Sequence, residues 1–548
     1  MKNAIILAAG KSNRFAPFTY EKPKGLFRVR GEILIERQIV QLQKAGIYEI
    51  YIVVGYMKEK FFYLEQKYGV HLIVNNEFGT KGNLYSLYQA RTYLGNTYIC
   101  CADHYFCRNP FLDDENMENI SYRACIYYSG KFREFAVECS DANVITDFVI
   151  GGFDSYAMVG HAYVNQRFST LFCDYMEKEI NDFGVASMFW EEFYAKHQKN
   201  LTFYKKEYCA GDILEFESIE DLREFDSEFL INVDSEIIEN ITKTLHCDPN
   251  AITNIAVINA GLTNVSFAFE VDKIKYVYRH PGGTAGNLID RKTEYFAQMA
   301  AREKGIDKSV IDMDLDGWKI SYFVEEARNC DFENGFDHSL TADEQLIKAM
   351  EYLHRLHKTK VTEYDNVKIF DNIAEGKKLM KIASSTKGHL RKEFADIIEK
   401  VERLYKEIKA DAARLGYGLV LCHNDTYEPN YLIDREREIY LIDWEYAGMN
   451  YGANDIGCIL CRYNWSEEQV ERYLRMYIGH DLDEDERRFY YGFIPISAFY
   501  WFCWGLYKGS VGDDDSFFFL PSYRNLIRYL DAALESYGIN KKNGDVGD

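Results

Sequence analysis

The 548-residue sequence lacks several features that would place it in a specialised protein class. It has no run of about eighteen apolar residues, which predicts that no helix spans a membrane. The chain enters an apolar strand after two residues, without the charged and then apolar segment of a secretory leader. Its thirteen cysteines are scattered along the chain, and their spacing does not suggest a zinc site. These absences predict reduced thiols and a cytoplasmic protein.

Positive charge is scarce relative to negative charge. Lys and Arg total 64 against 86 for Asp and Glu, which gives a formal net charge of −22. This excess disfavours a nucleic-acid backbone or an anionic membrane as the main partner, although a local basic pocket for phosphates is compatible with it. With 47% hydrophobic and 16% aromatic residues, the composition supports sizeable cores, and the length exceeds one typical domain.

One stretch late in the chain has the spacing of a phosphoryl-transfer site. Asp425 follows His423, Asn430 comes five residues after Asp425, and Asp443 lies in Leu441-Ile442-Asp443-Trp444. Phosphoryl transfer needs a carboxylate near the attacking hydroxyl, and it needs oxygen ligands that hold Mg²⁺ against the nucleotide phosphates. The first role fits Asp425, and the second fits Asn430 and Asp443.

A second phosphate-binding pattern opens the chain. The buried strand from Ala4 to Leu7 runs into a small-residue loop that contains Gly10 and Arg14. Gly10 would let the backbone approach a triphosphate closely, while exposed N–H groups and Arg14 would hold its charge. Lys22-Pro23-Lys24 then adds rigidly placed ammonium groups. The alternative is a surface turn with solvated lysines, but strand, loop and Pro-Lys together favour phosphate binding.

Two different patterns of secondary structure divide the chain. The first 100 residues alternate strands and helices, such as the helical stripe from Leu34 to Ala45 and the buried strand from Ile50 to Val54. This alternation predicts a Rossmann-like α/β fold with a mainly parallel sheet. The hairpin-like alternation from Val265 to Arg279 comes before helical patterns, which predicts an α+β, two-lobed, protein-kinase-like domain. The predicted domains are residues 1–228 and 229–548, the second with lobes at about 235–327 and 328–548.

Residues 7–14 and the following Pro-Lys resemble the motif Leu-Ala-Ala-Gly-x-(Ser/Gly)-x-Arg of sugar-nucleotide and phosphocholine nucleotidyltransferases. The resemblance covers roughly residues 1–228. It implies that Lys24 stabilises phosphate charge and that Asp103 coordinates Mg²⁺ with a later acid. Glu217 matches this acid, although the family usually has Asp, and Glu215 competes with it. The residues that the resemblance implies at the nucleotide are Ala9, Gly10, Ser12, Arg14 and Asn83.

Two further segments resemble the phosphocholine cytidylyltransferase branch of that family. They are Asn83 to Leu87 and Met188 to Glu191. Trp190 would lie over a quaternary ammonium group with Glu191 close by, a cation–π arrangement. The alternative is that Trp190 is core and Glu191 is solvated. The implied reaction is in-line attack of a phosphomonoester on the α-phosphate of CTP, which needs positioning and charge neutralisation.

Roughly residues 235–548 resemble the choline/ethanolamine kinase and aminoglycoside phosphotransferase superfamily. The matching motifs are His423-Asn424-Asp425 with Asn430, and Ile442-Asp443-Trp444-Glu445. The resemblance implies that Asp425 is the catalytic base, that Asn430 and Asp443 bind Mg²⁺, and that His423 braces the loop. The predicted ATP contacts are Gly261 and Thr263 over the phosphates, Arg279 in the place of the phosphate-pairing Lys, Glu294 as its clamp, and Val324 at the lobe hinge.

An aromatic segment from Phe499 to Leu506 bears on the choice of acceptor. Choline kinases have a similar late Trp-Gly helix whose aromatic residues enclose the trimethylammonium group, and Trp504 is the best match. Trp501 would share that helical face, and Glu445 and Tyr446 would complete the pocket. A stripe of aromatic residues at helical spacing is ordinarily core, so ethanolamine or another small amino alcohol stays open.

Together these resemblances predict a bifunctional enzyme that makes CDP-choline. One half would phosphorylate choline with ATP, and the other would join phosphocholine to CTP with release of pyrophosphate. An alternative is a sugar, ethanolamine or aminoglycoside kinase fused to a sugar-1-phosphate nucleotidyltransferase. A nucleotide-binding scaffold with one degenerate half is the non-enzymatic alternative, which the intact Asp425, Asn430 and Asp443 disfavour.

Overall fold

The chain forms two compact units in the computed structural model, residues 1–253 and 254–548. The predicted phosphate loop with Gly261 and Thr263 lies outside the described residues, as does the polar tail from Lys541. The structure describes residues 2–112, 119–258, 264–282, 289–336, 340–358, 367–387, 390–512 and 516–539.

The described residues of the first unit form eleven strands and nine α-helices. Its strands are β1 Lys2–Ala8, β2 Arg28–Val29, β3 Glu32–Ile33, β4 Ile50–Val54, β5 His71–Val74, β6 Asn96–Cys101, β7 His104–Phe106, β8 Tyr122–Cys139, β9 Ile145–Val164, β10 Tyr204–Tyr208 and β11 Ile213–Glu215. Its helices are α1 Leu34–Lys44, α2 Tyr63–Tyr68, α3 Asn83–Gln89, α4 Gln166–Glu179, α5 Phe183–Ala186, α6 Trp190–His197, α7 Ile219–Phe225, α8 Phe229–Asn232 and α9 Glu236–Leu245.

Seven of these strands form one sheet in the order β10-β8-β9-β6-β1-β4-β5. The pairs β1/β4, β1/β6, β4/β5 and β8/β10 are parallel, whereas β9 runs antiparallel to β6 and β8. The prediction of a mainly parallel α/β sheet is therefore confirmed. Because β1 and β6 are parallel neighbours, the loop with Gly10 and the acid Asp103 follow at the same edge of the sheet.

A small second ladder brings a late acidic segment to that edge. Strands β7 and β11 pair antiparallel, with Glu215 opposite His104. Asp103 immediately precedes β7, so Glu215 and the nearby Glu217 come to the same end of the sheet although they are more than a hundred residues away in sequence.

The segment that follows residue 228 packs on the first unit. The Phe229 ring is fully buried and meets Phe18 edge to face at 5.5 Å between ring centroids. Lys22 Nζ donates to the carbonyl oxygens of Val233 at 2.9 Å and Asp234 at 2.6 Å. This packing places the division between the compact units later than residue 228, because side chains near the first loop bury the segment up to α9.

The second unit begins with a five-stranded sheet in the order β12-β13-β14-β16-β15 and continues into a mainly helical region, which confirms the kinase-like fold class. The strands are β12 Thr253–Ile258, β13 Asn264–Val271, β14 Ile274–Pro281, β15 Val310–Met313, β16 Lys319–Tyr322, β17 Arg328–Asn329, β18 Val420–Cys422, β19 Tyr431–Ile433, β20 Ile439–Leu441 and β21 Gly448–Asn450. The helices are α10 Arg291–Glu303, α11 Ala342–His357, α12 Asn372–Lys387, α13 Leu390–Glu393, α14 Ala395–Leu415, α15 Gly452–Leu460, α16 Glu467–Ile478, α17 Glu484–Ser510 and α18 Ser516–Ser536.

Helix α17 is the central element of the helical region. Most of its second half is buried, including the run from Phe499 to Trp504, and it contains Pro495. Short ladders β17-β19-β20 and β18/β21 flank the loops that carry Asp425 and Asp443. Among the described helices, none has both the length and the apolar composition needed to cross a bilayer.

Candidate active sites

Lys24 and Asp103 form the centre of the site in the first unit. Lys24 Nζ donates to Asp103 Oδ2 at 2.9 Å and to the carbonyl oxygen of Phe216 at 2.7 Å. Lys24 is only 5% exposed, whereas the Asp103 side chain is 26% exposed. Burial would raise the pKa of Asp103, but Lys24 and His104 more than offset it, so that the pKa is lowered. Asp103 is therefore a carboxylate at neutral pH beside a buried ammonium group.

The two candidate late acids have different partners. Glu217 pairs with Arg14, and both side chains are at least half exposed, at 50% and 70%. The Glu215 carboxylate lies 3.7 Å from His104 Nε2, and His104 is buried directly after Asp103. Glu217 thus contacts Arg14, which is predicted to bind the triphosphate, and Glu215 lies beside His104, the residue after the predicted metal ligand Asp103. The prediction that Glu217, or Glu215 in its place, shares a metal with Asp103 stays a prediction.

The nucleotide loop is open on the side that a ligand would approach. A side chain at Gly10 would meet no atom within 4 Å. Ser12 has φ 50°, which turns the chain between Gly10 and Arg14. Ala9 is buried, and its carbonyl oxygen accepts from the Tyr56 N–H at 3.1 Å, which anchors the start of the loop. The arrangement suits a loop that presents backbone N–H groups to phosphates.

Two residues of the predicted site carry structural hydrogen bonds. Asn83 Oδ1 accepts from the Trp190 N–H at 2.8 Å, so its side chain holds the start of α6. The Lys22 ammonium group, bonded to backbone carbonyls near Val233, stabilises the packing of that segment rather than lying solvated. The nucleotide contact of Asn83 stays a prediction.

Trp190 is buried at 2% exposure between Phe172 and Phe203, and the Arg123 guanidinium lies 5.4 Å from its ring centroid. Arg123 Nη2 also donates to Glu191 Oε1 at 3.2 Å. Burial raises the pKa of Glu191, and Arg123 opposes that rise. The protein's own cation therefore occupies the place predicted for a substrate amine, and the roles of Trp190 and Glu191 stay predictions.

In the second unit, the loop after β18 holds Asp425 in a network of buried polar groups. Asn430 Nδ2 donates to Asp425 Oδ2 at 2.9 Å, whereas Asp425 Oδ1 is buried without a hydrogen-bond partner among the described residues. The Asp455 carboxylate accepts the N–H groups of His423 at 2.9 Å and Asn424 at 2.6 Å. Asp455 thus fixes the backbone of the loop.

His423 is neutral and connects the loop that carries Asp425 to the segment that carries Asp443. Its Nε2 donates to the carbonyl oxygen of Ile442 at 2.9 Å, one residue before Asp443. Burial lowers the pKa of His423 to about 4. A neutral, fully buried imidazole that bonds to backbone supports the predicted bracing role.

The carboxylates of the second site crowd one another. Burial raises the pKa of Asp425 to about 7; Glu445 and Asp455 add to the rise, while Arg462 and Asn430 oppose it. The pKa of Asp443 is raised by burial and by Glu445 and Asp425, while Arg279 opposes the rise. Such mutual repulsion between oxygen donors is relieved by a bound cation.

A chain of buried ion pairs links the sheet to the Asp443 loop. Arg279 Nη1 lies 2.5 Å from Glu294 Oε1 and 4.0 Å from Asp443 Oδ1. Arg291 Nη1 lies 2.7 Å from Glu294 Oε2 and 3.3 Å from Glu445 Oε1. The predicted Arg279–Glu294 clamp is thus a contact in the structure, and it points towards a predicted metal ligand. The roles of this clamp and of Val324, the second residue after β16, in nucleotide binding stay predictions.

The aromatic residues predicted to bind the amine lie together on α17 and the Asp443 loop. Trp504 Nε1 donates to the Tyr446 hydroxyl at 3.1 Å, and the ring centroids of Tyr446 and Trp501 are 5.6 Å apart. A cavity of about 680 Å³ opens beside Glu445 and Tyr446, with Tyr500 also in its wall. These contacts bring the predicted acceptor residues together, and their contact with an amine stays a prediction.

Comparison with known proteins decides the family of the first unit. Residues 4–119 match the MobA-like NTP transferase domain. The chain is 31% identical over 223 residues to choline-phosphate cytidylyltransferase of Streptococcus pneumoniae, which covers 41% of this chain and 96% of that protein. The chain belongs to the cytidylyltransferase family. The chain is also 34% identical over 235 residues to 2-aminoethylphosphonate cytidylyltransferase of Lancefieldella rimae, which covers 42% of this chain and 93% of that protein.

The second unit carries a different family match. Residues 255–523 match the choline/ethanolamine kinase family. The solved structure of choline kinase LicA from Streptococcus pneumoniae aligns with 54% of this chain and 98% of its own, at 19% identity and a TM-score of 0.43. The two family matches, at residues 4–119 and 255–523, confirm the predicted order of a nucleotidyltransferase followed by a domain of the choline kinase family.

Nucleotidyltransferases and kinases generally use a divalent metal ion, and both sites offer suitable donors. In the cytidylyltransferase unit these are the carboxylates of Asp103 and of Glu215 or Glu217. In the kinase-family unit, the Asn430 amide uses its nitrogen to reach Asp425, so its oxygen is the atom that it would offer to a metal. Asp443 completes this set of hard oxygen donors, which fits a divalent ion.

Several residues at the two sites were missed by sequence reasoning. Gly25 is one, because a Cβ there would lie 2.8 Å from the Ala102 Cβ, so only glycine lets Lys24 reach Asp103. Arg291 is another. Its position three residues before Glu294 on a predicted helix could have indicated an ion pair with that residue. Arg462, whose guanidinium lies 4.5 Å from the Trp501 ring centroid, gave no signal in the sequence.

Proposed function

We propose that the chain is a bifunctional enzyme that converts choline into CDP-choline. The kinase-family unit transfers the γ-phosphoryl group of ATP to the hydroxyl of choline. The cytidylyltransferase unit then joins phosphocholine to CTP and releases pyrophosphate. The observation that carries this proposal is the presence of both matches in one chain, a choline/ethanolamine kinase family domain and a cytidylyltransferase 31% identical to one named for choline phosphate.

Mg²⁺ is the divalent ion we propose for both sites. In the kinase reaction, Asn430 and Asp443 would hold the ion, and the ion would supply positive charge for the nucleotide phosphates. Asp425 accepts the hydroxyl proton of the acceptor and is held in place by Asn430 Nδ2 at 2.9 Å. Arg279, fixed by Glu294, faces Asp443 and supplies positive charge for the ATP phosphates.

In the transfer reaction, the protein contributes positive charge and position rather than a nucleophile. Lys24 is buried beside Asp103 and would stabilise charge on the α-phosphate of CTP as pyrophosphate leaves. Arg14 and the loop from Ala9 to Ser12 would hold the β- and γ-phosphates. Asp103 would hold Mg²⁺ together with Glu215 or Glu217.

A second candidate acceptor for the transfer step is 2-aminoethylphosphonate, because the relative named for it is 34% identical. A kinase makes a phosphate ester, whereas a phosphonate already carries its phosphorus on carbon and needs no kinase. The kinase-family domain in the same chain therefore favours phosphocholine.

The decisive experiment separates the two steps in the whole protein. With choline, ATP, CTP and Mg²⁺, we expect CDP-choline and pyrophosphate. Asp425→Asn should stop product formation from choline but not from added phosphocholine, whereas Asp103→Asn should let phosphocholine accumulate. Asp141→Asn, on an exposed turn of the first unit, is the matched control and should change neither step. Absence of CDP-choline from both choline and phosphocholine would refute the proposal.

A further inference from the structure

Arg462 places a positive charge inside the aromatic cluster predicted to bind the acceptor. Its guanidinium carbon lies 4.5 Å from the ring centroid of Trp501 and 4.9 Å from that of Tyr427. Trp501 is only 2% exposed, so little of its surface remains for another group. A cation at these distances from two aromatic rings makes the same type of contact that an alkylammonium substrate would make.

Arg462 also acts electrostatically on Asp425, the proposed catalytic base. Its charge opposes the rise in the pKa of Asp425, which places it within electrostatic reach of that group. The acceptor hydroxyl must meet Asp425 in order to be deprotonated. A short carbon chain joins the hydroxyl of choline to its ammonium group, so the ammonium group must lie near Asp425 as well. Both cations therefore need the same small region.

We propose that Arg462 is a specificity-determining residue of the acceptor pocket, which occupies the Trp501 face with the protein's own cation and weakens the binding of cationic acceptors. This inference rests on the proposed function only in placing the acceptor at this aromatic cluster. Like charges at short range near a protein surface repel strongly, and the favourable ring face is available to only one of them. Binding of choline then requires the guanidinium to leave Trp501 or to tolerate a neighbouring positive charge.

Lys508 has a related position on the other tryptophan, but it is a weaker competitor. Its Nζ lies 5.5 Å from the Trp504 ring centroid, a longer contact than that of Arg462 on Trp501. Arg462 contacts two rings and is one of the groups that act on Asp425, whereas Lys508 is not among the main influences on that carboxylate. Arg462 is therefore the residue to test.

The test compares Arg462→Met with the unaltered protein, using choline and its uncharged carbon analogue 3,3-dimethylbutan-1-ol. Methionine keeps an apolar contact with Trp501 but removes the charge. We expect the KM and the calorimetric Kd for choline to fall by about tenfold or more. The values for the uncharged analogue and the KM for ATP should change by less than about twofold, because neither depends on repulsion between cations.

Two further variants keep the result interpretable. Arg462→Lys retains the charge and should leave choline affinity near that of the unaltered protein, whereas Arg462→Gln removes it and serves if the methionine variant does not fold. Arg528→Met is the matched control, since Arg528 is exposed and lies 5.1 Å from the Tyr529 ring centroid on α18. It should change no acceptor constant.

The outcomes separate this inference from the proposed function. A Kd for choline that stays the same or rises in both neutral variants would overturn the inference. An equal gain for choline and for the uncharged analogue would also overturn it, because packing rather than charge would then explain the change. The proposed function fails on a different result, the absence of phosphocholine from the unaltered protein at every choline concentration.

Discussion

The buried contact between Glu294 and Arg279 allows a quantitative prediction for the kinase-family unit. The Glu294 side chain is fully buried and forms ion pairs with two arginines. Its Oε1 lies 2.5 Å from Arg279 Nη1, and its Oε2 lies 2.7 Å from Arg291 Nη1. Burial raises the pKa of Glu294, but Arg279 and Arg291 outweigh burial and lower it, so the group is a carboxylate at neutral pH. Glu294→Gln removes the charge while keeping the shape, which leaves two guanidinium groups near one another without their common partner.

The expected loss is set by the cost of leaving a buried charge without its partner. Breaking a buried ion pair by changing one member costs about 3–5 kcal/mol. We expect a loss in that range for Glu294→Gln, because the Arg279 side chain is only 8% exposed. Arg279→Met combined with Glu294→Met should recover much of it, since an apolar pair leaves no buried charge between these two positions. The phosphorylation rate should stay low in the double variant, because Arg279 is then absent from the site.

Urea unfolding followed by tryptophan fluorescence measures this loss in the whole protein. Of six tryptophans, only Trp190 lies in residues 1–253, so five report on the second unit. Glu303→Gln, an exposed position at the end of the same helix, is the control and should change the free energy of unfolding by less than about 0.5 kcal/mol. A loss below about 1 kcal/mol for Glu294→Gln would refute the reasoning, because it would mean that water or another group replaces the carboxylate.

Three further predictions concern charge and close packing. Lys24→Met should lower cytidylyl transfer by about 10²–10³-fold without changing choline phosphorylation, and an equal loss in both assays would contradict the assignment. Gly25→Ala should also slow transfer, because its Cβ would lie 2.8 Å from the Ala102 Cβ and displace Lys24; a rate of pyrophosphate release equal to that of the unaltered protein would count against this. The pKa of His423 is about 4 in the folded protein and 6.5 in an unfolded chain, so the unfolded state binds a proton more readily. The resulting stabilisation of the folded state is complete above pH 6.5 and is lost as the pH falls towards 4. That contribution is about 3 kcal/mol, and unfolding of the second unit in His423→Gln should lack this part of the pH dependence; parallel pH profiles would contradict it.

The carboxylates assigned to the two sites could be identified because they belong to local sequence patterns, and their roles stay predictions. Asp103 follows a strand whose apolar run is visible in the sequence, and Asp425, Asn430 and Asp443 have a spacing fixed by one short loop and a hairpin. Parallel strands then bring the loop at Gly10 to the same edge as Asp103. Local spacing and sheet direction together are enough to place these groups.

Contacts between distant parts of the chain were not predictable from the sequence. Arg14 meets Glu217 across more than two hundred residues, and Lys22 meets the carbonyl oxygens near Val233. The second contact also explains why the compact units divide later than residue 228. No periodicity in either segment specifies such a contact, since it depends on how whole elements pack.

The aromatic motifs illustrate the difference between residue type and available surface. Trp190, Trp501 and Trp504 were all predicted to meet a substrate cation, and each lies within 6 Å of a cation of the protein itself. An aromatic face attracts any nearby positive charge, whether it belongs to a ligand or to a side chain. A tryptophan motif therefore identifies where a cation can bind, and only the charges packed around it decide how tightly a cationic substrate competes for that place.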